Sequence, residues 1–457
     1  MPRFHREVAL PASAEDVYDW HLRPGAFQRL TPPWEKVAVV DPGNGVAEGS
    51  RVRIRVPLAG PISNIWIAEH RDLIPGRQFR DIQLTGPFAR WEHTHRIRPD
   101  GASSILEDDI EYDLPLGALG ALLGGGHVRG QLARMFDYRH AVMRIDTARH
   151  ARGGSRRMRV LVTGASGLVG RVLTAFLTTG GHAVTCLGRG SSRLPGTESR
   201  TWNPDAGVLD PAVVDGFDAV VHLAGENIAG GRWSASRKQR IRDSRVGGTK
   251  LLADALAKVP RPPEVFVSAS ALGYYGDRGE TPLPEDAPPG TGFLPEVCVE
   301  WERATEPARA RGIRTVMPRI GLVLTPAGGA LASMLPPFQC GVGGPLGSGR
   351  QYMSWITVDD LVGVIHCALI TPTLSGPVNA VSPSPVTNLE FTKTLGRVLR
   401  RPTLLAVPRL AARVLLGEMS DALLFASTRV VPEKLLASGF EFAHPNLEEG
   451  LRHVLGR

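Results

Sequence analysis

Residues 159–177 constrain this chain most tightly. The apolar run Arg159-Val160-Leu161-Val162-Thr163 ends in a turn with glycines at 164, 167 and 170. Arg171-Val172-Leu173-Thr174-Ala175-Phe176-Leu177 then repeats apolar residues at helical spacing. A G-x-x-G-x-x-G turn between strand and helix predicts a dinucleotide site. Gly164 allows the sharp turn, Gly167 lets the backbone approach a pyrophosphate, and Gly170 lets the helix pack close to the strand. The helix start, with Ser166, Leu168 and Val169 completing the turn, aims unpaired N–H groups and a partial positive charge at the phosphates. A second strand, His182 to Leu187, runs into Gly188-Arg189-Gly190-Ser191-Ser192-Arg193. A site that prefers NAD carries an acidic residue near this point to hold the ribose hydroxyls. None is here, and Arg189, helped by Ser191 or Arg193, suits a 2′-phosphate. NADP is therefore the expected cofactor, ahead of NAD. A tight turn that binds nothing, and an arginine merely solvated at a strand end, are the plainer alternatives.

At 457 residues the chain exceeds one usual core, so two or three domains are expected. Hydrophobic content of 42% and charged content of 21% fit a soluble globular protein. The net charge of +8 raises the question of nucleic acid. Only six of the 53 basic residues are lysines, and the arginines form no runs, so no nucleic-acid surface is expected. Cys186, Cys298, Cys340 and Cys367 have neither metal-type spacing nor a disulfide pattern. The N-terminus lacks the apolar core of a signal peptide, and no stretch reaches the roughly 20 apolar residues of a membrane span. A cytoplasmic protein is expected.

Residues 1–147 read as a separate domain. A strand from His5 to Leu10 is followed by a helix with Ser13 at its N-cap. In the next strand Val52, Ile54 and Val56 alternate with Arg51, Arg53 and Arg55. Ile65-Trp66-Ile67, Phe79 to Leu84, Trp91 to Ile97 and Ile105 to Leu114 continue the series, with breaks at Gly60-Pro61 and Gly86-Pro87. After Gly124-Gly125-Gly126, Val128 to Ile145 is predicted as one long helix. This order, with the opening V-x-L-P-A-S-x-E-D-V-Y-D-W, resembles the START-like (SRPBCC, polyketide-cyclase-like) superfamily. The resemblance implies an α+β helix-grip fold that encloses a hydrophobic ligand. His93 and His95 share a strand face with Trp91; with no carboxylate or cysteine beside them on that face of the strand, no metal is expected. Residues 148–157, rich in Arg, Gly and Ser, read as a linker.

From residue 158 strands and helices alternate, which predicts a doubly wound parallel sheet. Phe217 to Gly225, Glu264 to Ser270 with Gly273-Tyr274-Tyr275-Gly276-Asp277, and Pro318 to Leu324 mark successive strands and turns. These motifs, in this order over 158–400, resemble the extended short-chain dehydrogenase/reductase superfamily. The finer signatures are His222-Leu223-Ala224-Gly225-Glu226-Asn227-Ile228, Ser268-Ala269-Ser270-Ala271, Gly292-Phe293-Leu294 with Trp301-Glu302, and Leu346-Gly347-Ser348-Gly349-Arg350-Gln351. They are similar to the "epimerase family protein" group, and residues 401–457 resemble the small helical domain of unknown function that closes its members. The resemblance implies that Leu223, Ala224, Gly225, Glu226, Ser268 and Ala269 line the cofactor, and that Asn227 and Arg350 face substrate.

Superfamily enzymes use a tyrosine phenolate as acid/base, a lysine four residues on that lowers its pKa, and a serine or threonine. Taking Glu302 as the glutamate eight residues after the tyrosine puts Leu294 in the tyrosine place and Cys298 in the lysine place. The hydroxyl place falls on Ala271. Ser270, Tyr274 and Tyr275 are the substitutes at hand, and Cys298 is expected to be a packed, inert thiol. An oxidoreductase or epimerase-like enzyme with relocated groups, an NADP-binding sensor without turnover, and a ligand-binding protein with a vestigial nucleotide fold all remain open. Asp359 reads as a helix N-cap.

Overall fold

The structure, a computed structural model, describes every residue except Met1, Gly60, Pro61 and Arg193. The expected Gly60-Pro61 break and the expected help of Arg193 in cofactor selection lie outside the described residues. Two compact units form, one mainly from residues before Arg157 and one mainly from those after it.

The first unit is a seven-stranded antiparallel sheet with three helices. Its elements are β1 (Arg3–Leu10), α1 (Ala14–Leu22), α2 (Ala26–Leu30), β2 (Ala38–Asp41), β3 (Arg51–Ala59), β4 (Ile62–Ile74), β5 (Gln78–Thr85), β6 (Arg90–Asp100), β7 (Ser103–Asp113) and α3 (Gly117–Arg152). The strand order is β1-β7-β6-β5-β4-β3-β2. Ser13 caps α1 as expected, its hydroxyl accepting from the Asp16 N–H at 3.1 Å. The apolar core holds Trp20, Ile97, Leu106 and Met143 at one end and Phe4, Ile110 and Phe136 at the other. α3 is longer than the sequence predicts at both ends. It absorbs the 124–126 glycine run, because a helix already formed over 128–152 extends at only about 1 kcal/mol per glycine. Gly120 is needed there: a Cβ would lie 1.9 Å from the Pro115 carbonyl oxygen. The expected linker is correspondingly shorter, with residues 148–152 helical.

The second unit begins with β8 (Arg159–Thr163), α4 (Leu168–Thr179), β9 (Ala183–Gly188), β10 (Thr197–Thr201), β11 (Ala219–His222), α5 (Ala235–Lys258), β12 (Val265–Ser268), β13 (Ser270–Ala271), β14 (Pro282–Leu283), α6 (Phe293–Arg303), α7 (Glu306–Ala310) and β15 (Arg314–Ile320). The sheet order is β10-β9-β8-β11-β12-β15-β13, with Gly376–Ala380 pairing on β15. Numbered from β8, the first six strands follow 3-2-1-4-5-6, the doubly wound Rossmann order. β11 and β12 are buried throughout, as strands covered on both faces must be. The strand order reverses between β8 and β11, which run parallel, and ligands bind in the crevice outside the strand ends at such a switch point.

Residues 401–457 do not stand apart. Arg429–Val430 pairs with β14, and the helix Leu447–Leu455 shares a core with Trp355, Phe391 and Leu395. Asp359 is not the N-cap of its helix; Thr357 is, its hydroxyl accepting from the Asp360 N–H at 3.1 Å. Asp359 lies 2.9 Å from the His453 ring Nε2 instead. Among the described residues no helix is long and apolar enough to cross a membrane.

Candidate functional site

The turn after β8 is a cradle that only glycine fits. Gly164 has φ +69°, and a Cβ there would lie 2.7 Å from the Leu223 carbonyl carbon. A Cβ on Gly170 would lie 2.2 Å from the Gly164 oxygen and 2.7 Å from the Ala165 Cα. α4 therefore starts as close to β8 as backbone permits. Ser166 and Gly167 are exposed at its mouth, while Leu168 turns toward Gly328, whose Cβ would be 3.1 Å from its Cδ1. Val169 is half-buried in the first turn.

Register assembles the rest. Thr163 pairs with His222 and His222 with Ser268, so three strand ends lie side by side. Leu223 and Ala224 follow directly, their N–H groups donating to the Thr163 carbonyl and hydroxyl at 3.2 and 3.3 Å. The Ala269 N–H donates to the His222 carbonyl at 2.9 Å. Gly164, Leu223, Ala224, Ser268 and Ala269 thus lie at or just beyond the neighbouring ends of β8, β11 and β12. Sequence reasoning passed over His222. Its Nδ1 lies 2.6 Å from the Thr163 hydroxyl, and burial pushes its pKa down to about 4, so the ring is neutral. The His222 Nε2 and the Ser268 hydroxyl are buried without protein partners. Arg189 is exposed just beyond β9, which pairs with β8.

The next loop is fixed by arginines. Glu226 lies 3.0 Å from the Arg237 guanidinium, and Arg245 donates to the Glu226 and Ile241 carbonyls at 3.1 and 3.2 Å. The Arg245 guanidinium stacks over Trp301, 5.1 Å from the ring centre, beside Gly225. The Asn227 amide oxygen accepts from the Ala229 N–H at 3.0 Å.

Leu294 and Cys298, on α6, pack against the loop after β13. A Cβ on Gly273 would lie 3.3 Å from the Leu294 Cβ and 3.5 Å from the Cys298 Sγ. Leucine and thiol therefore face the loop after β13. Burial, and then the Glu302 carboxylate, push the Cys298 thiol up to about 12, so it stays protonated. The Ser270 hydroxyl donates to Glu302 Oε1 at 2.7 Å. Tyr275 is fully buried, its hydroxyl 2.7 Å from Asn379 Oδ1 and 3.1 Å from the Pro284 carbonyl. Burial raises its pKa to about 12 despite Arg319 beside it. A phenol locked in this way is a poor proton shuttle, and of the two tyrosines only Tyr274 is partly exposed. The Arg319 guanidinium lies 3.4 Å above its ring centre.

Behind these groups lies a charge network that sequence reasoning missed. Arg319, 2% exposed, donates from Nε and Nη2 to the two Glu302 oxygens at 2.8 and 2.9 Å. Its Nη1 donates to the Tyr275 hydroxyl and the Glu285 carbonyl at 2.9 and 3.0 Å. Arg350 borders an open depression of about 360 Å³ shared with Asp277, Glu280, Arg409 and Phe425.

A family described as NAD dependent epimerase/dehydratase matches residues 160–380. One described as polyketide cyclase / dehydrase and lipid transport matches 10–136, and a domain of unknown function matches 407–454. An epimerase family protein of Mycobacterium bovis is 45% identical over 299 residues, covering 65% of this chain and 98% of that one. The crystal structure of a nucleoside-diphosphate sugar epimerase from Corynebacterium glutamicum superposes with a TM-score of 0.80 at 32% identity, over 99% of this chain and 90% of that one. The crystal structure of human epimerase family protein SDR39U1 with NADPH superposes with a TM-score of 0.60 at 34% identity, over 65% of this chain and 99% of that one. A relative matched over nearly its full length at 45% identity, on a Rossmann sheet with the motifs in order, means that this chain belongs to the epimerase family proteins of the extended short-chain dehydrogenase/reductase superfamily.

Proposed function

We propose that the second unit binds NADP at the turn between β8 and α4, and that the chain is an epimerase- or oxidoreductase-like protein in which the usual serine, tyrosine and lysine have been replaced. The glycine cradle carries this reading, because Gly164 and Gly170 hold backbone where any Cβ would collide. Such a cradle serves close approach by a diphosphate. Gly164, Ser166, Gly167, Leu168, Val169 and Gly170 would hold that diphosphate, and Leu223, Ala224, Gly225, Ser268 and Ala269 would border the remainder. Bound there, the cofactor supplies hydride chemistry. The human relative crystallised with NADPH supports the choice of NADP, as does Arg189 beyond β9 in the absence of an acidic residue. The first unit, matched to a lipid-transport family, takes a small hydrophobic ligand in this reading.

Proton transfer falls to Tyr274, the phenol left when Tyr275 is locked to Asn379 and Arg319. The committed hydroxyls of Ser270 and Tyr275 favour a second reading, an NADP-binding sensor or regulator without turnover. Titrating the full chain with NADPH tests the first step; saturation in the micromolar range is expected, and no binding there overturns it. Arg189→Ala is expected to weaken NADPH about 10- to 100-fold, the size of a lost charge-assisted bond, and NADH far less. Equal losses would remove Arg189 from cofactor selection. Single-turnover NADPH oxidation with a panel of carbonyl compounds separates enzyme from sensor. Oxidation that falls at least 100-fold in Tyr274→Phe supports the relocated phenol, whereas no oxidation with any carbonyl supports the sensor.

A further inference from the structure

The first unit carries a row of ionisable side chains on one face of its sheet. β-Register sets His70 opposite Asp81, Asp81 opposite His93, and His95 opposite Asp108. His93 and His95 are 3% and 6% exposed. His93 Nε2 is hydrogen-bonded to Asp108 Oδ1 at 2.9 Å, and His95 Nδ1 lies 2.7 Å from the same oxygen, outside hydrogen-bond alignment. His140, from α3, holds the other Asp108 oxygen at 2.6 Å. The remaining ring nitrogens, His93 Nδ1 and His95 Nε2, turn to Asp81 Oδ2 at 3.9 and 3.6 Å.

These last separations are too long for hydrogen bonds, which run near 2.7–3.2 Å. They are close to what a shared ion imposes. Four ligands placed tetrahedrally at about 2.0–2.1 Å from zinc lie about 3.4 Å from one another. Two imidazoles and a carboxylate are a donor set suited to zinc and its transition-metal neighbours. Ligating histidines characteristically give their second nitrogen to a carboxylate, which fixes ring orientation; Asp108 stands in that relation to His93 and lies in contact with His95 Nδ1. The His70 Nδ1 lies 2.5 Å from Asp81 Oδ1, a charge contact beside the third donor.

We propose that Asp81, His93 and His95 form a divalent transition-metal site, with Asp108, His140 and His70 as positioning residues. Three protein ligands leave one tetrahedral position for water or a small ligand. The sequence alone shows two histidines two apart; the carboxylate reaches them only through antiparallel pairing.

The test uses the full chain, stripped with a chelator and titrated with Zn(II) against a chromophoric competitor, and separately with Co(II), whose visible absorption reports tetrahedral coordination. One equivalent of each metal per chain is expected. His95→Ala and His93→Ala are expected to abolish that equivalent, while His127→Ala, at an exposed position of α3, keeps it. Asp108→Asn is expected to keep the stoichiometry and lose 10- to 100-fold in zinc affinity, with a changed Co(II) spectrum. Failure of the wild-type chain to bind zinc at micromolar concentrations overturns the proposal, whatever the variants' folding. So does a His93→Ala or His95→Ala chain that binds zinc with wild-type stoichiometry and affinity.

Discussion

Glu302→Ala is expected to destabilise the second unit by about 3–5 kcal/mol, the cost of stranding one member of a buried ion pair. Arg319 is 2% exposed and the Glu302 side chain 12%. Removing the carboxylate leaves a buried guanidinium, which stays charged because an arginine does not shed its proton in proteins. The Ser270 hydroxyl loses its acceptor in the same step, and the stacking of Arg319 on Tyr274 loses its anchor. Scanning calorimetry of the full chain reads the effect as a downward shift of the transition that carries the second unit. Glu302→Gln keeps an acceptor for Ser270 and is expected to lose less. Replacing Glu302 and Arg319 together with leucine and methionine is expected to recover most of the loss, because no buried charge then remains. A Glu302→Ala shift worth under about 1 kcal/mol would mean that water reaches Arg319 and that the pair does not organise the loop after β13.

What the sequence disclosed, and what it hid, divides by distance along the chain. Gly164, Gly167 and Gly170 sit within seven residues, so local backbone needs alone announce the cradle. Leu223, Ala224, Ser268 and Ala269 were reachable because parallel strands of similar length end at one crevice, and motif order stands in for geometry. Tyr274 and Tyr275 look alike in Gly-Tyr-Tyr-Gly. Only the contacts with Asn379 and Arg319, 104 and 44 positions away, turn one inward and leave the other partly exposed. Asp81 joins His93 by strand pairing that no periodicity reveals. The 124–126 glycine run misled for the opposite reason: local propensity says break, and continuity with a long helix outweighs it. Asn227 and Arg350 were assigned to substrate by resemblance. The first accepts from the Ala229 N–H and the second borders an open depression with Asp277 and Arg409, neighbours that no motif names.

Gly170→Val is expected to abolish measurable NADPH binding, a loss of at least 100-fold, and to destabilise the second unit while the first keeps its own transition. The Cβ would lie 2.2 Å from the Gly164 oxygen, and that oxygen cannot retreat freely. Gly164 already sits at φ +69°, with the place for its own Cβ 2.7 Å from the Leu223 backbone. Overpacking of this kind costs about 1–3 kcal/mol where side chains give way, and more where the obstacle is backbone. Either α4 moves off β8 or the turn opens, and in both cases the N–H groups at the helix start lose their aim. Gly167→Ala separates binding from folding. Its Cβ would meet only the Gly164 oxygen, at 3.1 Å, on an exposed turn. Stability is expected to change by under about 1 kcal/mol, as at most surface positions, while NADPH affinity falls because the methyl group stands where the diphosphate approaches. Calorimetry and NADPH titration of the two variants give the pattern: both lose binding, and only Gly170→Val loses stability heavily. Wild-type NADPH affinity in a folded Gly167→Ala chain would move the diphosphate away from this turn.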